Sequence, residues 1–217
     1  MNLIFDFGGV LLDLAPERCR ANYHAIGYHA IDQMLSLAHQ QGVLDRMERG
    51  LLTLGEYCDA IRDEISHADP KAVLPTDRQI AHAFCSMADG LPAERLDAIA
   101  RLKRQGYRVS ALSNTNLVHW GYYRRYFIEA GYVPEELFEH IWLSCEMHLV
   151  KPDPAIFARV LQESGYDPAD TLFIDDNARN CEVAQTFGIH TFCPPIRTDW
   201  SAELDKILLT LNANVHK

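Results

Sequence analysis

A chain of 217 residues is longer than a typical single domain and short for two full-sized ones, so a main domain with a smaller appendage is expected. With 48% hydrophobic and 23% charged residues it can bury a sizeable core, which excludes a disordered chain. The formal charge of −10, from 20 basic and 30 acidic side chains, argues against nucleic acid and anionic membrane as partners.

Asn2 to Asp6 is a short apolar run that ends in an acid and then Gly8-Gly9, the pattern of a buried strand stopped by a turn. The charge at Asp6 comes too early for a signal peptide, and no uncharged apolar run approaches the length of a membrane span. The six cysteines are scattered, with no CxxC and no zinc-ligand spacing to histidine. A reduced, soluble, cytoplasmic protein is expected.

From about Pro16 to Ala88 the β-branched residues thin out and apolar residues recur at helical spacing. Ile31, Met34, Leu35 and Ala38 fit one helix face, and Tyr57, Ala60, Ile61 and Ile65 fit another. Thr53 followed by Glu56 resembles a capping box. Four or five helices and no strand are predicted here. After Pro92 helices and strands alternate: helix Ala93 to Gln105, strand Tyr107 to Leu112, helix Leu117 to Ala130, and strand Ile141 to Ser144. Helix Pro154 to Ser164, strand Leu172 to Ile174, helix Ala178 to Phe187, strand Ile189 to Phe192 and helix Ala202 to Leu211 complete the chain.

That rhythm predicts an α/β fold with a parallel sheet covered on both faces. The core is discontinuous, formed by residues 1–15 and 89–217, with residues 16–88 as a helical cap inserted after the first strand. Such an insert lies over the carboxyl ends of the strands, where doubly wound sheets bind ligands.

What stands at the strand ends is chemically pointed. Asp6 follows the first strand, Ser113-Asn114 the second, Lys151-Pro152 comes a short loop after the third, and Asp175-Asp176-Asn177 follows the fourth. A carboxylate can attack phosphorus and form an aspartyl-phosphate. Two anions repel, so a divalent cation must bridge them; Mg²⁺ prefers carboxylates, and Asp6 and Asp176 supply two. Ser113 and the amides around Asn114 can hydrogen-bond the transferring oxygens, and Lys151 adds fixed positive charge.

The segments Ile4-Phe5-Asp6-Phe7-Gly8-Gly9-Val10, Leu112-Ser113-Asn114, Lys151-Pro152 and Phe173-Ile174-Asp175-Asp176-Asn177 resemble the four motifs of the haloacid dehalogenase-like hydrolase superfamily. The resemblance spans the chain. It implies a Rossmann-like core with a helical lid, Asp6 as nucleophile, Ser113 as the second-motif hydroxyl and Lys151 as the third-motif base. It also implies a Mg²⁺ held by Asp6, Asp176 and the carbonyl of Gly8, with Asp175 supporting it through water.

One departure matters. Most phosphatases of that family carry a second Asp two residues after the nucleophile, where this chain has Gly8. General acid-base assistance is worth about 10²–10⁴ in rate, so a cap residue, a bound water or a good leaving group has to compensate. A subgroup that includes bacterial α-glucose-1-phosphate phosphatase is similar in having Gly there, and in a Glu-Arg-Gly segment matched here by Glu48-Arg49-Gly50. The expected function is therefore Mg²⁺-dependent hydrolysis of a small phosphorylated metabolite, a sugar phosphate favoured, by a monomer or homodimer. The alternatives are a metal-free 2-haloacid dehalogenase and a catalytically weak phosphate-binding protein. Asp175-Asp176 beside Asp6 disfavours the former, because uncompensated carboxylates raise one another's pKa and weaken the nucleophile.

In the cap, Tyr23, His24, Arg46, Glu48 and Arg49 are candidate substrate contacts. Trp120, Tyr122, Tyr123, Tyr126 and Phe127 are expected on one helix packing against the sheet, with any exposed part suited to a dimer contact. His119 reads as a surface histidine, and the ten histidines contain no HExxH pair.

Overall fold

The computed structural model describes residues 1–36 and 42–215. Its sheet has five parallel strands, β1 (Asn2–Phe5), β2 (Arg108–Ser113), β3 (Ile141–Leu143), β4 (Thr171–Ile174) and β5 (His190–Phe192), in the order β3-β2-β1-β4-β5. The helices are α1 (Pro16–Ala25), α2 (Ile31–Ser36), α3 (Gly42–Glu48), α4 (Leu54–Ala68), α5 (Asp77–Cys85) and α6 (Ala93–Arg104). They continue with α7 (Leu117–Glu129), α8 (Pro134–Leu137), α9 (Ser144–Met147), α10 (Pro154–Ser164), α11 (Ala178–Gln185) and α12 (Ser201–Val215). The predicted α/β class, with a doubly covered parallel sheet, is the fold observed.

Parallel strands covered on both faces need apolar side chains on both, and all four residues of β1 are buried. Side chains alternate along the strand. Leu3 and Phe5 therefore enter one cluster, with Leu96, Ile99, Phe127 and Leu204 of α6, α7 and α12 and with Trp200 just before α12. Ile4 points the other way, with Ile156, Phe157 and Val160 of α10 and Ala184 of α11. The aromatic run on α7 packs as expected: Tyr123 and Phe127 are buried, and Trp120, Tyr122 and Tyr126 lie partly buried against the same cluster.

Local signals set the helix ends. Asp153 caps α10 by accepting from the Ala155 N–H, Pro154 opens it, and Gly165 ends it in the left-handed region at φ 65°. The capping box at Thr53 and Glu56 starts α4, and Thr76 with Gln79 forms a second one at α5. Among the described residues α1–α5 contain no strand; they pack on one another around Tyr23, Tyr28, Tyr57, Ile61, Ile80 and Phe84. Ile31 and Met34 are buried there as predicted, while Ala38 lies outside the described residues. The two passages between sheet and helices run side by side. Ala15 N–H donates to Met87 O at 2.8 Å, and Asp13 and Asp89 exchange backbone bonds with Gly90 and Asp13.

The order of strands positions the site. The chain steps from β1 to β2 to β3 on one side, then returns to β4 on the other side of β1. The loops after β1 and β4 thus open next to one another at the carboxyl edge, where such sheets have a crevice.

Candidate active site

Asp6 directly follows β1 and is anchored by its own N–H, which donates to Ile174 O at 2.8 Å. Its Oδ1 accepts from the Phe7 N–H at 2.7 Å and faces Lys151 Nζ at 3.0 Å. Among the described residues no hydrogen bond engages Oδ2. Lys151 is buried, and its ammonium has three partners for its three hydrogens: Asp6 Oδ1, Asp175 Oδ2 at 2.7 Å and the Leu112 carbonyl at 2.9 Å. The lysine thus holds the nucleophile candidate from one side.

Asp175 is fully buried and fully engaged. Besides Lys151 it accepts from the Asn177 N–H at 2.8 Å and from Asn180 Nδ2 at 3.0 Å. Asp176 sits beside it, and one oxygen from each of Asp6, Asp175 and Asp176 lies within 4.8 Å of the others. Gly9 makes room for this cluster. At φ 74°, a Cβ there would fall 2.4 Å from Asp176 Oδ2, so no other residue fits. Burial, with repulsion from Asp175 and Asp176 opposing the pull of Lys151, pushes Asp6 up to about 7. Burial and Asp175 push Asp176 up to about 6. Burial works against the Lys151 ammonium, but Asp175 and Asp6 prevail and raise its pKa.

This donor set fits a hard divalent cation. Clustered carboxylate oxygens are what Mg²⁺ binds, and a cation is what the mutual repulsion calls for. Asn180 Oδ1, buried and without a donor, adds an unused acceptor at the same place. Asp6, Asp176 and the Gly8 carbonyl would hold the ion, with Asp175 behind them.

The cluster opens into a cleft of about 940 Å³ lined from the sheet by Asp6, Gly8, Asn114, Lys151 and Asp176, and from the helices by Met34, Leu35, Asp45, Glu48 and Arg49. Beside it lies a smaller, more apolar cavity of about 120 Å³ that includes Gly8, Leu14, Tyr23, Glu48, Phe84, Ser113 and Tyr123. Ser113 therefore faces the inner cavity. The Asn114 side chain clamps the Lys151 loop, donating to Lys151 O and accepting from Lys151 N–H, both at 2.8 Å.

The cap candidates divide. Glu48 and Arg49 reach the cleft, where Arg49 Nε binds both oxygens of Asp45 at 3.0 Å. Tyr23 lines the inner cavity and hydrogen-bonds Tyr57. His24 pairs with Asp32 on the outside, and Arg46 lines neither space. His119 is not a surface residue: half-buried, it stacks on Phe84 at 4.0 Å and bridges α7 to the Phe84 carbonyl of α5 at 3.1 Å. Asn177 lines the cleft beside its motif partners, and Asp45 and Asn180, which the sequence reading did not single out, line it too. Asn180 lies four positions after Asp176, in the first turn of α11, which is the signal that would have found it.

The haloacid dehalogenase-like hydrolase family model matches residues 1–188. The chain belongs to that family. This hydrolase is 29% identical over 209 residues to D-ribitol-5-phosphate phosphatase of Bacteroides thetaiotaomicron, covering 95% of this chain and 98% of the relative. A crystal structure of a family enzyme from the same organism, in complex with magnesium and inorganic phosphate, is 37% identical, with a TM-score of 0.86 over 94% of this chain and 98% of the other. A dehalogenase structure at 19% identity and a TM-score of 0.60, covering 95% and 96%, shares the fold. Among the described residues no helix is long and apolar enough to cross a membrane.

Proposed function

We propose that this hydrolase is a Mg²⁺-dependent phosphomonoesterase that acts on a small phosphorylated metabolite, a sugar or polyol phosphate, through an aspartyl-phosphate on Asp6. The observation that carries the reading is the convergence of Asp6, Asp175 and Asp176 within 4.8 Å, held by Lys151, at the floor of a cleft. A relative that is a pentitol-phosphate phosphatase and a structural neighbour with magnesium and phosphate support it. Residues 16–88 act as the lid domain over a core of 1–15 and 89–217, joined at the paired passages beside Ala15 and Met87.

The chain's own residues do the following. Phe7 N–H and Lys151 pin Asp6 Oδ1, which leaves Oδ2 to approach phosphorus. Asn114 fixes the Lys151 loop, so the ammonium stays against Asp6 as charge develops. The amides after β2 and the Ser113 hydroxyl are donors for the phosphoryl oxygens, while the lid excludes water and reads the alcohol. A bound Mg²⁺ supplies the positive charge that lets carboxylate and phosphate meet.

In the test, aryl phosphate and a panel of pentitol and hexose phosphates are assayed with Mg²⁺ and with excess chelator. Hydrolysis is expected with the metal only, and Asp6→Asn is expected to abolish it. Undiminished turnover in chelator would refute the metal assignment, and chloride release from a 2-haloacid would move the assignment to dehalogenase.

A further inference from the structure

An alcohol leaving phosphorus as an alkoxide needs a proton, and the groups nearest Asp6 are poorly placed to give one. Lys151 has a partner for each of its hydrogens. Asp175 is wholly engaged as an acceptor. Gly8 has no side chain, and a Cβ there would lie 3.3 Å from Leu14 Cδ1, so this spot is filled by an apolar neighbour.

Across the cleft stands Glu48, the last residue of α3. We propose that Glu48 is the proton donor to the leaving group, and the base that prepares water in the second half of the reaction. The inference rests on the phosphatase reading above.

Three contacts dock this part of the helical layer on the core. Ser144 Oγ, which accepts from Thr115 N–H, donates to Glu48 O at 2.7 Å. His148 Nδ1 donates to Arg49 O at 2.7 Å. Gly50, at φ 65°, lies so close to α9 that a Cβ would fall 2.2 Å from Cys145 O. The backbone of Glu48 is thereby tied to the loop after β2 and to α9, not only to the other cap helices.

Glu48 as a residue is 8% exposed, and among the described residues its carboxyl makes no hydrogen bond or ion pair. A buried polar group without a partner is costly. This one lines both the cleft that holds Asp6 and the inner cavity beside Gly8, so its carboxyl is open to a ligand atom there. Burial and the Asp45 carboxylate push Glu48 up to about 8 against the pull of Lys151, with Asp6 adding to the rise and Arg49 opposing it. It therefore carries a proton at neutral pH, as a general acid must.

The steps balance. Asp6 Oδ2 bonds to phosphorus as the bond to the leaving oxygen breaks, and the Glu48 proton passes to that oxygen to give the alcohol. Glu48, now a carboxylate, takes a proton from the water that attacks phosphorus. The bond to Asp6 breaks, inorganic phosphate departs, and Glu48 is again a carboxyl.

The experiment compares first-turnover rates of wild type and Glu48→Gln on 4-nitrophenyl phosphate and on an alkyl phosphate. With the alkyl ester the variant is expected to slow by about 10²–10⁴. With the aryl ester, whose leaving group needs no proton, it is expected to release a burst of nitrophenolate near the wild-type rate and then stall. An equal loss on both esters, or no loss, would overturn the assignment. Wild type alone gives a second measurement that needs no variant: its rate should vary little with the basicity of the leaving alcohol, and a steep decline would also overturn it. A wild type inert toward every ester would instead sink the phosphatase reading, a result distinct from an evenly slowed variant.

Discussion

His119 uses both ring nitrogens while neutral. Nε2–H donates to the Phe84 carbonyl at 3.1 Å, and Nδ1 accepts from Asn116 Nδ2 at 3.2 Å. The same Asn116 caps α7 through its Oδ1, so its amide cannot turn to welcome a second N–H. Burial, against the opposing Phe84 bond, lowers the histidine to about 4. A base whose folded pKa is depressed binds its proton in the unfolded chain first, so its stability contribution is complete above about pH 6.5. That contribution is lost as pH falls from there toward about 4, to an extent of about 3 kcal/mol. In thermal melts across this window, the wild type should lose stability more steeply than His119→Gln; parallel curves would show that His119 does not titrate this way. The sequence hid the role because the decisive partner, Phe84, lies 35 positions upstream in another layer. Asp6, by contrast, was singled out in the sequence by company rather than by its neighbours, through the polar groups that stand at three later strand ends. Lys151 was legible as a cation near the site, but not as one whose hydrogens are all taken by protein groups.

At the scale of elements, short-range chemistry was the readable part. The box at Thr53 shows both reciprocal bonds: Glu56 N–H donates to Thr53 Oγ1 at 3.2 Å and Thr53 N–H to Glu56 Oε2 at 2.8 Å. Because it is exposed and is not among the residues that line the cleft, Thr53→Ala should cost about 1 kcal/mol and lower the melting temperature by about 2–4 °C, with kcat unchanged. A larger loss, or an effect on turnover, would mean that α4 does more than pack the lid. The equivalent Thr76-Gln79 signal at α5 was present in the sequence and passed over. Strand and helix types were predicted correctly because parallel strands read as continuous apolar runs; most ends shifted by a residue or two, and α12 runs four residues further than expected. The four-residue helices α8 and α9 were missed, since one turn leaves no periodic pattern to read. The docking of Glu48-Arg49-Gly50 on α9 could not be seen either. The segment was noticeable, but what it touches depends on how two layers meet.

For the whole molecule, the three clustered carboxylates make the apo protein less stable than it becomes with a cation. A ligand that binds only the folded state at about 100 times its Kd adds about 2.7 kcal/mol, or about 5–10 °C in a chain of this size. Melting by dye fluorescence in Mg²⁺ and in chelator should show that rise for the wild type, and most of it should vanish in Asp176→Asn. An unchanged melting temperature with the metal would argue that the cluster binds none. The general plan was available from the sequence, because one strand, a helical insert and an alternating remainder admit few topologies. The meeting of Asp45, Arg49 and Glu48 over the cleft was not, since it follows from packing between layers.

The strand order has a consequence for synthesis. β1 precedes the other strands in the chain yet occupies the middle of the sheet, flanked by β2, which begins at Arg108, and β4, which begins at Thr171. Both of its edges wait for chain made much later, the kind of distant pairing that slows folding. Asp6, the proposed nucleophile, is thus translated well before its partners, and Asp175 and Asp176 come beside it only when β4 docks. On the proposed function, a partly made chain lacks the assembled site, and hydrolysis waits for the completed fold.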